Sequence, residues 1–306
     1  AVIRLVLSKE KKHYTLCHAV EESVFIAVLL KWFFRVPFIY DMDSSLSLQL
    51  TEKWWLLKFL RPIFEWMESF AIKRGKGVIA VCDSLVEVSK KAKARKVWLL
   101  RDFSLLKESP EKLEASIREQ TAIEKSEIIV LYVGNLESYQ GIDLLLSASV
   151  KVSAIMRNVH LIVIGGTPTD IGYYRSLLSD DQKKNIHFLG PRPVQYLSHY
   201  IKQADILVSP RIRGNNTPMK IYSYLHSGVP VVATNIESHT QVLSIDDSIL
   251  TEPTENDFAE GIMKLARNKD LRERLGKNAC DKANKYHTPE AFAQELNKIY
   301  DSFLFS

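Results

Sequence analysis

From Glu127 onward, short apolar runs alternate with stretches of helical period. Ile128–Val133 is continuously apolar and ends in Gly134, the pattern of a strand buried on both faces of a parallel sheet. Gly141 opens a helical stretch over Ile142–Val152. Val159–Ile164 is a second strand closed by Gly165 and Gly166, and a helix around Tyr173–Leu178 leads to the short strand Ile186–Leu189. Val194–Gln203 is amphipathic, Ile206–Ser209 and Val229–Ala233 read as strands flanking a helix Pro218–Ser227, and helices dominate from Glu255 to the end. Strands alternating with helices of about ten residues predict right-handed βαβ units and a doubly wound α/β sheet.

The first 112 residues carry a sparser version of the same pattern. Tyr14–Cys17, Pro37–Tyr40, Gly77–Val81 and Val97–Leu100 are predicted as short strands and Glu21–Phe34 and Trp54–Lys73 as helices. Ser84–Lys93 is a further helix, capped by Asp83 or Ser84. That is about half of an ordinary doubly wound domain. The polar segment Lys107–Lys125, broken at Ser109-Pro110, predicts the boundary between two domains, residues 1–112 and 113–306. The final helix, Pro289–Phe305, packs within the second domain or docks back on the first.

Composition narrows the chemistry by exclusion. The three cysteines are far apart and form no C-x-x-C pair, and the eight histidines include no H-E-x-x-H. Neither a disulfide framework nor a metal site is expected, and a reducing, cytoplasmic compartment fits. Ala1–Leu7 is a short apolar run followed at once by Lys9, Glu10, Lys11 and Lys12, and is not read as a secretory signal. Val24–Phe34, broken by Lys31, falls short of the roughly 20 residues that cross a bilayer. Charge is uneven: residues 1–112 hold 20 Lys and Arg against 13 Asp and Glu, a net of +7, and the remainder carries −2. A basic half suggests contact with an anionic surface or substrate.

Two loops carry candidate chemistry. In Ser209–Gly228 a strand runs into a loop containing Arg211, Arg213, Gly214, Asn215 and Asn216, and Thr217 and Pro218 stand where a helix cap and first helical residue belong. Free N–H groups at such a helix start suit a diphosphate, although a well-capped structural helix would look the same. In Tyr132–Gly141 a buried strand joins a helix through Gly134 and Gly141, allowing close backbone approach to a ligand. The spacing is not G-x-G-x-x-G, so the dinucleotide fingerprint is absent. Two such loops on one sheet point to a nucleotide.

The order Y-V-G-N-L-x-x-Y-Q-G-I-D, V-I-G-G, H-F-L-G-P and S-P-R-x-x-G-N-N-T-P-M-K-I-Y-S-Y-L-x-S-G-x-P-V-V-A-T resembles the C-terminal domain of family 4 retaining glycosyltransferases of the GT-B fold. The resemblance covers Ile128 to about Thr288 and extends more loosely over His18–Val81. It implies two Rossmann-like doubly wound domains facing across a cleft, with part of the first missing from this chain. It also implies a nucleotide diphospho-sugar donor bound by the second domain, a glycan or lipid-linked saccharide acceptor, and no metal or other cofactor. Phe188 and Gly190 fall in the strip that reads the nucleotide base.

Departures from the family pattern are concentrated at the donor site. Asn215 and Ser223 replace two glutamates that touch the donor sugar and the ribose. Both can hydrogen-bond hydroxyls, but neither carries charge. Asn135 and Gln140 stand where the phosphate loop has Arg and Lys, so Lys220, Arg211 or Arg213 is expected to supply the missing cation. On the acceptor side Asp43 takes the position of a catalytic histidine, and His18 lies close to Glu21 and Glu22. These departures leave a second reading open: a weak or inactive nucleotide-sugar-binding scaffold.

Trp32-Phe33-Phe34, Trp54-Trp55 and Trp66 lie among Lys31, Arg35, Lys53, Lys58, Arg61, Lys73 and Arg74. Either the tryptophans fill the core and the cations coat the outside, or both meet an anionic leaflet from the cytoplasmic side. No nucleic-acid recognition motif is present, and nucleic acid is not an expected partner.

Overall fold

The computed structural model describes residues 14–47, 59–107 and 115–304. Trp54, Trp55 and the Ser109-Pro110 break lie outside the described residues. The chain divides into two compact units, residues 1–102 with 292–306, and residues 103–291.

The first unit holds a parallel sheet in the order β1 (Cys17–Val20), β2 (Phe38–Met42), β3 (Gly77–Ala80), β4 (Val97–Leu99). The connections are helices α1 (Ser23–Phe34), α2 (Arg61–Arg74) and α3 (Asp83–Lys91). Strand alternation sends Phe38, Tyr40, Val78 and Ala80 to a core shared with α1, α2 and α3. Ile39 and Ile79 point the other way, to Ile299 and Phe303 of the C-terminal helix (Pro289–Leu304). The Trp98 ring lies 4.6 Å from Phe303 between centroids on that face.

Several boundaries here differ from the sequence reading; β2 runs on to Met42, so that Asp41 lies within it. The first strand is Cys17–Val20, not Tyr14–Cys17, because the ladder begins where the Cys17 amide donates to the Pro37 carbonyl at 2.8 Å. His18 therefore sits inside the strand. Helix α3 starts at Asp83 with Cys82 as its extended cap and no side-chain cap bond. Asp83 instead accepts from Arg101 Nη2 at 2.6 Å.

The second unit is a six-stranded parallel sheet whose strands, in chain order, are β5 (Ile128–Val133), β6 (Val159–Ile164), β7 (Ile186–Gly190), β8 (Ile206–Ser209), β9 (Val231–Thr234) and β10 (Ser248–Thr251). Spatially they run β10-β9-β8-β5-β6-β7, so the direction of winding reverses between β5 and β8. Its helices are α4 (Ile117–Thr121), α5 (Ile142–Ile155), α6 (Pro168–Ser176), α7 (Leu197–Ile201), α8 (Met219–Ser227), α9 (Glu237–Thr240), α10 (Glu255–Arg267) and α11 (Lys269–Tyr286). Val130 and Tyr132 face α5 and α10, and Ile129 and Leu131 face α8 and α11, giving one core on each side of the sheet. Strand β10 and helix α4 were not expected. The latter opens on a complete Ser116–Glu119 capping box inside the polar segment taken as a boundary.

Candidate functional site

The point where strand order reverses is where open α/β sheets form a ligand crevice, at the carboxyl ends of the strands. Here that point is flanked by the β5–α5 loop (residues 134–141) and the β8–α8 loop (residues 210–218). They are stitched together: Ile212 N donates to the Tyr139 carbonyl at 3.0 Å. Gly141 has φ 73°, and a Cβ there would run into the Pro210 carbonyl. A Cβ at Gly134 would meet Tyr132 Oη at 2.9 Å and Lys220 Nζ at 3.3 Å. At Gly141, where the obstacle is backbone, only glycine lets the two loops approach so closely.

Lys220, in the first turn of α8, reaches across to the first loop. Its Nζ donates to Gln140 Oε1 at 3.3 Å and lies 4.1 Å from the centroid of the Tyr132 ring. The residue is half-buried, with the amine turned inward. Burial, and then the charge of Arg211, push this ammonium down to about 7. Of the three cations expected to replace the loop's missing charge, Lys220 is the one beside Gly134 and Gln140. Arg211 is buried and braces its own loop, donating through Nε to the Arg213 carbonyl at 2.6 Å and through Nη1 and Nη2 to Asn216 at 3.1 and 3.3 Å. A Cβ at Gly214 would fall on that guanidinium. Arg213, Asn135, Asn215 and Asn216 are exposed, and Gln140 is buried.

The start of α8 corrects the expected cap. Pro218, at φ −64° and ψ 130°, is the cap residue rather than the first helical one, and its carbonyl takes the bond from Ile221 N at 2.9 Å. Thr217 therefore lies outside the helix, and its buried Oγ1 has no hydrogen-bond partner among the described residues. Among the described residues, no side chain caps the N–H groups of the first turn. Ser223 is buried within α8. Phe188 and Gly190 stand at the carboxyl end of β7, where the Phe188 carbonyl accepts from Arg175 Nη2 at 2.8 Å.

Sequence reasoning missed the support beneath these loops. His239 is fully buried, with Nδ1 2.9 Å from the Thr234 carbonyl and Nε2 2.9 Å from Ser209 Oγ. Burial holds its imidazole down to about 4, against the Thr234 bond and with help from the Lys220 and Arg211 charges. A neutral ring bonded this way carries its proton on Nδ1 and accepts from Ser209. Thr234 Oγ1 in turn donates to the Arg211 carbonyl. Tyr224 Oη accepts from Val133 N at 3.0 Å, tying α8 to the end of β5. His239 belongs to no recognisable short motif, and its partners Ser209 and Thr234 come from the ends of two separate strands, β8 and β9.

In the first unit, His18 Nε2 contacts Asp41 Oδ2 at 2.8 Å and Nδ1 contacts Tyr300 Oη at 2.6 Å. Asp43 follows β2 directly, and its carboxyl is raised by burial and by Asp41, with His18 opposing. Glu21, in the left-handed region at φ 50°, is raised to about 7, chiefly by burial, although Ser44 Oγ donates to both its oxygens. Asp102 is raised to about 6 by burial and by Asp43 and Asp41. Asp43 and His18 are thus part of one coupled group at the carboxyl ends of β1, β2 and β4. Asp41, Tyr300, Glu21 and Asp102 complete it, although sequence reasoning assigned them no role. Among the described residues, no three His, Cys, Asp or Glu side chains are grouped to hold a metal ion.

Residues 114–282 match the family model described as Glycosyl transferases group 1. An uncharacterized glycosyltransferase of Methanocaldococcus jannaschii is 23% identical over 240 residues, 74% of this chain and 60% of that protein. The chain thus spans less than two thirds of that relative. Alpha-D-kanosaminyltransferase of Streptomyces kanamyceticus is 19% identical over 292 residues, covering 93% of this chain and 75% of that protein. Among solved structures, HepE of Anabaena in complex with UDP superposes with a TM-score of 0.80 at 17% identity, over 98% of this chain and 82% of that one. The fold is the GT-B type, with two Rossmann-like parallel sheets.

Proposed function

Because the chain belongs to the group 1 glycosyl transferases, we propose that it moves a sugar from a nucleotide diphospho-sugar to a glycan or lipid-linked saccharide with retention, as a family 4 enzyme independent of metal and other cofactors. The observation that carries this reading is the convergence of Lys220, the Gly134–Gly141 loop and the uncapped start of α8 at the reversal of strand order. A cation, close backbone and free helix N–H groups suit a diphosphate. The same groups stabilise it as the leaving group when the bond to the sugar breaks, so catalysis rests on positioning and electrostatics.

In this reading Thr217 Oγ1, without a partner among the described residues, bonds a phosphate oxygen, and Phe188–Gly190 flanks the base. Asn215 and Ser223 bond sugar and ribose hydroxyls, and Asp43 and His18 act at the transferred sugar. UDP bound to HepE, a protein of the same fold, supports a nucleotide donor.

Isothermal titration with UDP and GDP, each with and without magnesium, tests the proposal. One nucleotide is expected to bind without magnesium and to bind less tightly after Asn215→Ala or Thr217→Val. If neither binds at millimolar concentration, the donor site is wrongly assigned. With the matching donor, the configuration of the new linkage tests retention.

A further inference from the structure

We propose that the outer face of α1 and α2 is a docking surface for an anionic lipid bilayer. Helix α1 is apolar on two sides. Val24, Ala27 and Leu30 face the core, while Ile26, Leu29 and Phe33, at i, i+3 and i+7, form a second stripe in solvent. On and just before α2, Phe59, Ile63, Trp66 and Phe70 follow at i, i+4, i+7 and i+11. Trp32, Phe33, Phe59 and Trp66 are 77%, 72%, 76% and 66% exposed. A helix with apolar residues on its solvent side calls for an apolar partner. Trp32 and Trp66 therefore do not fill the core, the first of the two readings of the aromatic–basic sequence.

Charge identifies that partner. The two helices adjoin at their carboxyl ends, where Lys31 Nζ donates to the Arg74 carbonyl. Lys31, Arg74, Lys76 and Arg95 gather there closely enough that their repulsion adds to burial in lowering the Lys31 ammonium. The Arg74 guanidinium lies 4.8 Å from the centroid of the Phe70 ring, which itself stacks on Trp66. Exposed Lys73 adds a further cation. Of the carboxylates on α2, Glu65 is paired with Arg61 at 2.7 Å, and Glu68 is buried and bonded to Ser45 and the Leu46 amide. Indole rings seat at the depth of lipid headgroups while lysines and arginines meet their phosphates. Anionic lipid supplies both the apolar layer and the opposite charge. The face lies outside residues 114–282, which match the family model, and the inference does not depend on the donor site.

The test is flotation of the full chain with vesicles of phosphatidylcholine alone and of phosphatidylcholine with phosphatidylglycerol. Binding is expected to the second, much less to the first, and to be lost in high salt. The double variant Trp32→Ser, Trp66→Ser should reduce the bound fraction about tenfold, with an unchanged melting temperature. Ile245→Ser, which removes an exposed apolar side chain from the second unit, should leave binding unchanged. Absence of binding to anionic vesicles overturns the proposal, as does equal binding by the double variant. So does sedimentation showing a lipid-free dimer that the double variant dissociates, because a second copy would then be the partner.

Discussion

Lys220 on helix α8 donates to Gln140 at the end of the β5–α5 loop, 3.3 Å away. The loop has no cation of its own, and the helix brings one to it. Lys220→Met should weaken binding of the nucleoside diphosphate tenfold or more, since a charge-assisted contact to phosphate is lost. Arg213→Ala, at an exposed side chain, should change affinity less than threefold. Arg211→Ala should lower thermal stability, because its guanidinium holds the Arg213 carbonyl and Asn216 in place. Titration calorimetry and thermal melts on the three variants separate these roles. Unchanged affinity in Lys220→Met would remove that residue from the donor site.

The same amine makes binding depend on pH. Free Lys220 titrates at about 7, so at pH 8 to 9 it is mostly neutral, whereas a bound diphosphate favours the ammonium. Binding must then take up a proton, and affinity should fall as pH rises above 7, by up to about tenfold per unit. Terminal phosphates titrate near pH 6, below this window. Calorimetry in two buffers of different ionisation enthalpy should report close to one proton taken up at pH 8.5 in the wild type and none in Lys220→Met. No uptake in the wild type would mean that the diphosphate does not engage this amine.

How far the sequence disclosed this arrangement depended on whether each signal was local. Ile128–Val133 and Val159–Ile164 are unbroken apolar runs, and both form strands over those spans. Gly134 and Gly141 are legible because a turn demands glycine within a few residues. Thr217 misled, because Thr-Pro before a helix is also compatible with Pro218 as the cap. His18 misled in another way: its polar ring is tolerated inside β1 only because Asp41 and Tyr300 receive it, and Tyr300 is 282 positions away. His239 left no sequence signal for the same reason, since Ser209 is supplied by a different strand. Strand β10 is four residues with Ser and Thr at its ends, too short to stand out from the loops beside it.

The closeness of the two donor loops rests on Gly141. Its φ of 73° is strained for any other residue, and a Cβ would strike the Pro210 carbonyl. Gly141→Ala should cost about 2–4 kcal/mol of stability and weaken nucleotide binding together with it. Gly172 lies inside α6, where an added Cβ would meet nothing within 4 Å, and Gly172→Ala should stabilise by about 0.5–1 kcal/mol. Urea unfolding of both variants checks the pair. Equal effects would show that backbone freedom at Gly141 is not needed.

Asp43 and His18 make a kinetic prediction once a donor and acceptor are known. If they act at the transferred sugar, Asp43→Asn and His18→Ala should lower kcat about 100-fold or more while leaving the affinity for the nucleoside diphosphate unchanged. A fall in affinity with little change in kcat would place them outside the reacting centre.

Acid should destabilise the second unit through His239. Its folded-state value of about 4 lies below the ordinary 6.5, so between those limits the unfolded chain binds more protons than the native one. Stability is therefore fully present above pH 6.5 and falls as pH drops towards 4, by roughly 3 kcal/mol at the limit. Glu21 and Asp102 act in the opposite sense, because their carboxyls are raised to about 7 and about 6 and the native state holds those protons longer. Both groups are unchanged in His239→Gln, so they cancel when wild type and variant are compared at each pH. The variant should start less stable at pH 7.5, having lost the bonds to Ser209 and Thr234, and should then lose less than the wild type on acidification to pH 4.5. Parallel pH profiles would mean that the native imidazole is not held neutral beneath the donor loops.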